Sequence, residues 1–84
     1  MTNPIWATVD FEAEGYQTGD LCLPHSVHRS AYGVLTIPVA VMSNGQGPTV
    51  LLTGGTHGDE YEGPVAIRRL LSSLSPEQIK GRII

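Results

Sequence analysis

Leu51-Leu52-Thr53-Gly54-Gly55-Thr56-His57-Gly58-Asp59-Glu60-Tyr61-Glu62-Gly63 is the stretch on which the reading of this chain turns. It continues the short apolar run of residues 49–53, which turn residues bound on both sides. Such a run suits a strand buried on both faces, as at the centre of an α/β sheet. Gly54-Gly55 ends it. Pro64 then stands near the start of a helix, where its missing N–H costs nothing. Ile67, Leu70, Leu71 and Leu74 follow at i, i+3, i+4 and i+7, with Arg68, Arg69, Ser72 and Ser73 on the other side. That spacing predicts an amphipathic helix with a core-facing stripe. Ser75-Pro76 stops the helix, and Gly81-Arg82-Ile83-Ile84 begins another strand. Strand, glycine turn, helix and strand make a βαβ unit, whose strands are parallel and whose crossover is right-handed.

Upstream, Leu35, Ile37, Val39 and Val41 alternate with Thr36, Pro38, Ala40 and Met42, the period of a strand with one aliphatic face. Pro38 cannot donate to a ladder, so this strand is expected at an edge or at a bulge, and antiparallel to its neighbours. Asn44-Gly45-Gln46-Gly47-Pro48 reads as a turn. Residues 5–24 read as short extended pieces broken at Glu14-Gly15 and Gly19-Asp20. Residues 24–30, polar and without a period, read as a loop. The expected fold class is α/β, a mixed sheet with flanking helices. Residues 1–32 supply extended pieces and a loop, and 33–84 a strand-turn-strand-helix-strand. The chain is expected to continue past Ile84, because a domain seldom stops on the first residues of a buried strand.

Eighty-four residues allow one small domain with a thin core. A single cysteine, Cys22, excludes an internal disulfide and fits a reducing cytoplasm. Five Lys plus Arg against eight Asp plus Glu give a net charge of -3, without the basic excess of a nucleic-acid binder. Arg68, Arg69, Lys80 and Arg82 gather towards the C-terminus, the first two on an expected solvated helix face. The start, MTNPIWATVDF, lacks the basic and apolar regions of a secretory signal, and no apolar run approaches a membrane span.

His57 and Glu60 stand three residues apart, a spacing that puts both side chains on one side of a helical or turn backbone. Imidazole and carboxylate both suit zinc. The pair also falls outside the C-terminal end of a strand, where functional residues of open α/β folds gather. A surface histidine and an acid near a positive helix N-terminus account for the same residues without any metal.

The run Gly54-Gly55-Thr56-His57-Gly58-Asp59-Glu60, followed by Gly63, resembles the zinc-binding signature of the succinylglutamate desuccinylase/aspartoacylase family. That family is similar in fold to the zinc carboxypeptidases. Residues 37–39, the Asn44-Gly45 turn and the Gly63-Pro64 helix start look like a bacterial branch that deacetylates N-acetyl-2,4-diaminobutyrate. The similarity spans residues 33–84. The resemblance implies that the chain is the N-terminal part of a zinc hydrolase, with His57 and Glu60 as zinc ligands and Zn2+ as cofactor. Asp59 falls either outside the ligands, orienting one of them, or at a helix cap. A third ligand, the general base and the substrate-gripping arginines are expected beyond Ile84, so this stretch alone is expected to be inert. The implied substrate is a small N-acyl amino acid. The charge and the short apolar runs predict no nucleic-acid or membrane partner, and exposed apolar faces favour self-association into a homo-oligomer or pairing with the missing portion. A carboxypeptidase-type peptidase and a non-catalytic binding module are the competing readings.

Other candidates carry less chemistry. His25 and His28 repeat the i, i+3 spacing with no carboxylate or cysteine beside them, which fits an exposed loop. Cys22 between Leu21 and Leu23 reads as a buried apolar side chain. Ser26 lacks the strained glycine-flanked turn of a nucleophile. The glycines at 54, 55 and 58 match neither phosphate-binding spacing. Tyr61, beside Glu60, is the better pocket-lining candidate, and Trp6 the weaker.

Overall fold

The computed structural model describes residues 4–27, 30–55 and 61–84. Its elements in chain order are β1 (Trp6–Ala7), β2 (Gly15–Val27), β3 (Ser30–Asn44), β4 (Thr49–Val50), α1 (Glu62–Ser73), a 3-10 turn (Pro76–Gln78) and β5 (Gly81–Ile83). The five strands form one mixed sheet in the order β1-β2-β3-β5-β4. All neighbours are antiparallel except β4 and β5, which are parallel. The α/β class, the parallel pair around a helix and the antiparallel strand before it agree with the sequence.

The first third of the chain departs from it. The break at Glu14-Gly15 holds, since β1 ends at Ala7 and β2 begins at Gly15. The break at Gly19-Asp20 and the loop do not: β2 and β3 form a long hairpin whose register runs from Gly15↔Ser43 to His25↔Gly33. The register shifts between His25 and Val27, so Val27 faces Ser30. Gly19 does not break β2, and residues 24–27 and 30 lie in strands. Cross-strand partners decide strand formation more than local propensity does, and a one-strand reading sees no partner.

Both prolines fit this ladder without loss. Asp20 directs its backbone towards β1, accepting from the Thr8 N–H at 2.9 Å and donating to Thr8 Oγ1 at 2.9 Å. Its partner Pro38 therefore sits at a non-hydrogen-bonded position of the β2–β3 ladder. Its ring nitrogen faces the flank of β3 that β5 pairs only at Met42–Asn44. Pro24 shares Asp20's parity, two residues past the Trp6↔Cys22 pair. The edge expected from Pro38 is thus a local one within a strand that is interior further on.

The core lies where β3 gains its second neighbour. Val41 and Met42 are fully buried there, while Val9 and Cys22 are buried further along the sheet, where β2 pairs with β1. Cys22 is a free, buried thiol, as its flanking leucines imply. Further out along the hairpin Val34, Leu35 and Ile37 are exposed, so the aliphatic alternation of β3 finds a buried face only at its C-terminal end.

The apolar run 49–53 is not a central buried strand. Its assigned strand is two residues long, lies at the sheet edge and is exposed. The ladder itself runs further: Ile84 N–H donates to Val50 O at 2.9 Å and Leu52 N–H to Ile84 O at 2.8 Å. Backbone pairing followed the expectation; burial did not, because β4 has a partner on one side only. The helix behaves likewise. Ile67, Leu71 and Leu74 are half-buried, Leu70 is exposed, and no residue of α1 is fully buried. Arg68 and Arg69 are exposed, as expected of a solvated face.

Arg82, which the sequence placed only at the start of a strand, acts differently from the two helix arginines. It is half-buried and donates from Nη1 to Phe11 O and from Nη2 to Thr49 Oγ1 at 3.2 Å. It so ties β5 to β4 and to the turn before β2. Gly81 beside it has φ 95° and lies against Pro48 O, a position no side chain could share. In the 3-10 turn, Ser75 N–H donates to Gln78 Oε1 at 2.7 Å. Glu77's own backbone N–H, and then the Ser75 hydroxyl, hold its carboxyl below its ordinary value.

Candidate functional site

The β4–β5 ladder carries the chain straight to Leu52, and two residues later the backbone meets the start of α1. At that point Gly54 and Gly63 touch with no side chain between them. A methyl group on Gly54 would come within 2.9 Å of the Gly63 carbonyl carbon, 3.0 Å of Pro64 N and 3.1 Å of Ile67 Cδ1. A methyl group on Gly63 would lie 3.2 Å from Gly54 Cα. Ordinary carbon–carbon contact is about 3.5–4.0 Å, so only glycine fits this seam unchanged. Gly55 continues it with φ 78°, a left-handed turn off the strand.

Among the described residues no side chain caps the start of α1. Tyr61 is the N-cap and makes no side-chain capping bond, and the first helical bond runs from Val65 N–H to Tyr61 O at 3.1 Å. Pro64 thus occupies one of the first positions, where no intrahelical acceptor exists for an N–H. Its predicted place near the helix start holds.

His57, Asp59 and Glu60 lie outside the described residues. What the structure places is their frame: Gly55 on one side, Tyr61 on the other, with the chain drawn together again at Gly54 and Gly63. Tyr61 is 72% exposed. Trp6, the weaker candidate, is half-exposed on β1. His28 lies outside the described residues, as does the side chain of His25, although the His25 backbone belongs to β2.

Among the described residues no group of three or more His, Cys, Asp or Glu could hold a metal ion. Two open clefts lie elsewhere, one of about 440 Å³ on the outer face of α1 and one of about 360 Å³ beside Glu12, Glu14 and Arg82. Neither is lined by the residues of the seam. The seam itself went unread in the sequence. Its signal was a Gly-Gly pair matched by a Gly-Pro pair across the motif, visible only once the two were known to meet.

Residues 46–84 match the pattern described as the succinylglutamate desuccinylase/aspartoacylase catalytic domain. The chain is 57% identical over 82 residues to the N-alpha-acetyl-L-2,4-diaminobutyric acid deacetylase of Halomonas elongata, covering 98% of this chain and 24% of that protein. Among solved structures, the product-bound ectoine utilization protein EutE (DoeB) of Ruegeria pomeroyi superposes with a TM-score of 0.88 at 49% identity. That match covers 99% of this chain and 25% of that one. A succinylglutamate desuccinylase from Silicibacter sp. TM1040 gives the same TM-score, 0.88, at 46% identity, again covering 99% and 25%. The chain therefore spans about a quarter of the length of the relatives it matches. The resemblance read in the sequence is thereby borne out: residues 46–84 carry the catalytic-domain pattern of the succinylglutamate desuccinylase/aspartoacylase family, and the whole chain is similar to about a quarter of these relatives.

Proposed function

We propose that the protein carrying this stretch is a zinc-dependent hydrolase that removes the acyl group from a small N-acyl amino acid, of the N-acetyl-2,4-diaminobutyrate kind. The observation that carries the reading is the glycine seam at the exit of the β4–β5 ladder. It brings Gly54-Gly55 against Gly63-Pro64 on either side of the stretch of sequence that holds His57 and Glu60. In open α/β folds functional residues gather past the C-terminal ends of strands. The 57% identity to a protein named as a deacetylase supports the substrate class.

His57 would supply a neutral nitrogen donor and Glu60 an anionic oxygen donor, a pair that suits zinc. Bound zinc supplies Lewis-acid polarisation of the acyl carbonyl and activation of water. Asp59 would orient a ligand from outside the metal's contacts or cap the helix, and Tyr61 would border the substrate from the helix start. Two ligands leave a catalytic zinc site one short of the usual three. On that ground the 84-residue stretch by itself is inert and binds zinc weakly. The single buried thiol fits a reducing, cytoplasmic setting.

The test uses the whole natural protein. One zinc per chain is expected, with deacetylation of N-acetyl-2,4-diaminobutyrate that chelator abolishes, and His57→Ala should lose both metal and activity. Metal content unchanged in His57→Ala would sink the reading, and hydrolysis of dipeptides in preference to N-acyl amino acids would replace it with a peptidase.

A further inference from the structure

We propose that Asn44-Gly45 is a site of spontaneous deamidation, which Glu14 holds in check by occupying the Gly45 N–H. It is the one Asn-Gly pair of this chain. In such a pair the glycine nitrogen attacks the asparagine side chain readily, because no β-carbon stands in its way. The Gly45 nitrogen gives up its proton to water and bonds to Asn44 Cγ. The Cγ–Nδ2 bond breaks, and Nδ2 leaves as ammonia. Water then opens the cyclic imide at either carbonyl, leaving aspartate or isoaspartate.

The turn does not shed this chemistry by replacing Gly45. That residue has φ 69°, in the left-handed region, where a side chain is strained even with open space around it. What the fold supplies instead is restraint. The Gly45 N–H, whose proton must leave, donates to both carboxylate oxygens of Glu14, at 3.0 and 3.1 Å. A negative charge at that place opposes a second one developing on the nitrogen. Asn44 Nδ2, the leaving group, donates to Ile79 O at 3.0 Å. Asn44 is also the last residue of β3 and pairs with Gly81 on β5. Closing the imide ring rotates its ψ out of the extended range, so that pair must part first.

These hydrogen bonds are exposed, so they slow the reaction without abolishing it. Its products bear on the strand that follows, because the turn leads from β3 into β4. Isoaspartate adds a methylene to the backbone there, and an ionised carboxylate at position 44 no longer donates to Ile79 O. The same cleft supplies a control. Glu12 lines it beside Glu14, but its carboxylate pairs with Arg82 at 3.6 Å instead of holding the turn.

The experiment incubates the whole natural protein, folded and in urea, and follows the conversion of Asn44 to the acid by peptide mapping and mass spectrometry. Rates for the folded forms are compared well below each variant's Tm. Folded wild type should deamidate more slowly than the unfolded chain. Glu14→Ala should speed the folded reaction about two- to tenfold, the factor for losing one hydrogen bond of ordinary net strength. Glu14→Gln keeps a neutral acceptor and should speed it less. Glu12→Ala removes the same charge from the same cleft and should match wild type. If Glu14→Ala does not fold, Glu14→Gln set against Glu12→Ala decides. A folded wild-type rate equal to that in urea overturns the restraint. Unchanged or slower deamidation in the Glu14 variants, or an equal acceleration in Glu12→Ala, overturns the role of Glu14.

Discussion

Arg82 is where residue-level reading and structure diverge most. In the sequence it was one of four basic side chains near the C-terminus; in the fold it bridges three segments. Its ion pair with Glu12 spans 3.6 Å, but the Glu12 side chain is 87% exposed. Exposed pairs contribute about 0–1 kcal/mol, whereas the bonds to Phe11 O and Thr49 Oγ1 join the guanidinium to neutral acceptors in a half-buried place. Arg82→Ala should therefore destabilise the protein by about 1–3 kcal/mol. Glu12→Ala should cost under about 0.5 kcal/mol. Urea midpoints for the two variants measure the difference; equal losses would mean that the ion pair, not the backbone and hydroxyl acceptors, carries Arg82's contribution. The proposed metal ligands are of another kind: His57 and Glu60 stand out in the sequence by residue type and spacing alone, and both lie outside the described residues.

Among the elements, β3 was read best and β2 worst. The alternation of β3 needed no partner to be seen, and Pro38 announced an unpaired flank. Parity along the ladder makes that statement testable. Ile37 pairs with Leu21 at a hydrogen-bonded position, next to Pro38 at a non-bonded one. Pro38→Ala should change stability by less than about 0.5 kcal/mol, as substitutions away from special features do. Ile37→Pro should remove a ladder bond and open the outer hairpin. Amide exchange checks this: protection at Leu21 and its neighbours should persist in the first variant and collapse in the second. A clear gain of protection in Pro38→Ala would mean that position 38 faces a ladder acceptor after all, since alanine restores the N–H that proline lacks. In β2 the interruptions at Gly19 and Pro24 looked like ends because a single strand gives no view of the partner that continues through them.

For the whole molecule, size and surface disagree with a closed core. The accessible surface is 6612 Å² for a 9.0 kDa chain. A compact monomer of that mass exposes about 4,900 Å². The radius of gyration, 15.1 Å, likewise exceeds the roughly 12 Å of a compact chain this long. Leu35, Ile37, Val50, Leu51 and Val65 are among the exposed apolar side chains. Expressed alone, the 84-residue stretch should bind a hydrophobic dye and self-associate, which light scattering after gel filtration would register. A dye-silent monomer would mean the stretch closes its own core. The sequence by itself determined the βαβ order, the helix and its solvated face, the local edge at Pro38 and the His-x-x-Glu motif. Each depends on spacing, turn chemistry or side-chain type within a few residues. Only the tertiary structure decided the continuity of β2, the exposure of β4, the clamp of Arg82 and the Gly54–Gly63 seam. Those depend on which distant segments meet, and hydrogen-bond partners, burial and close backbone approach are properties of pairs that one segment's pattern does not contain.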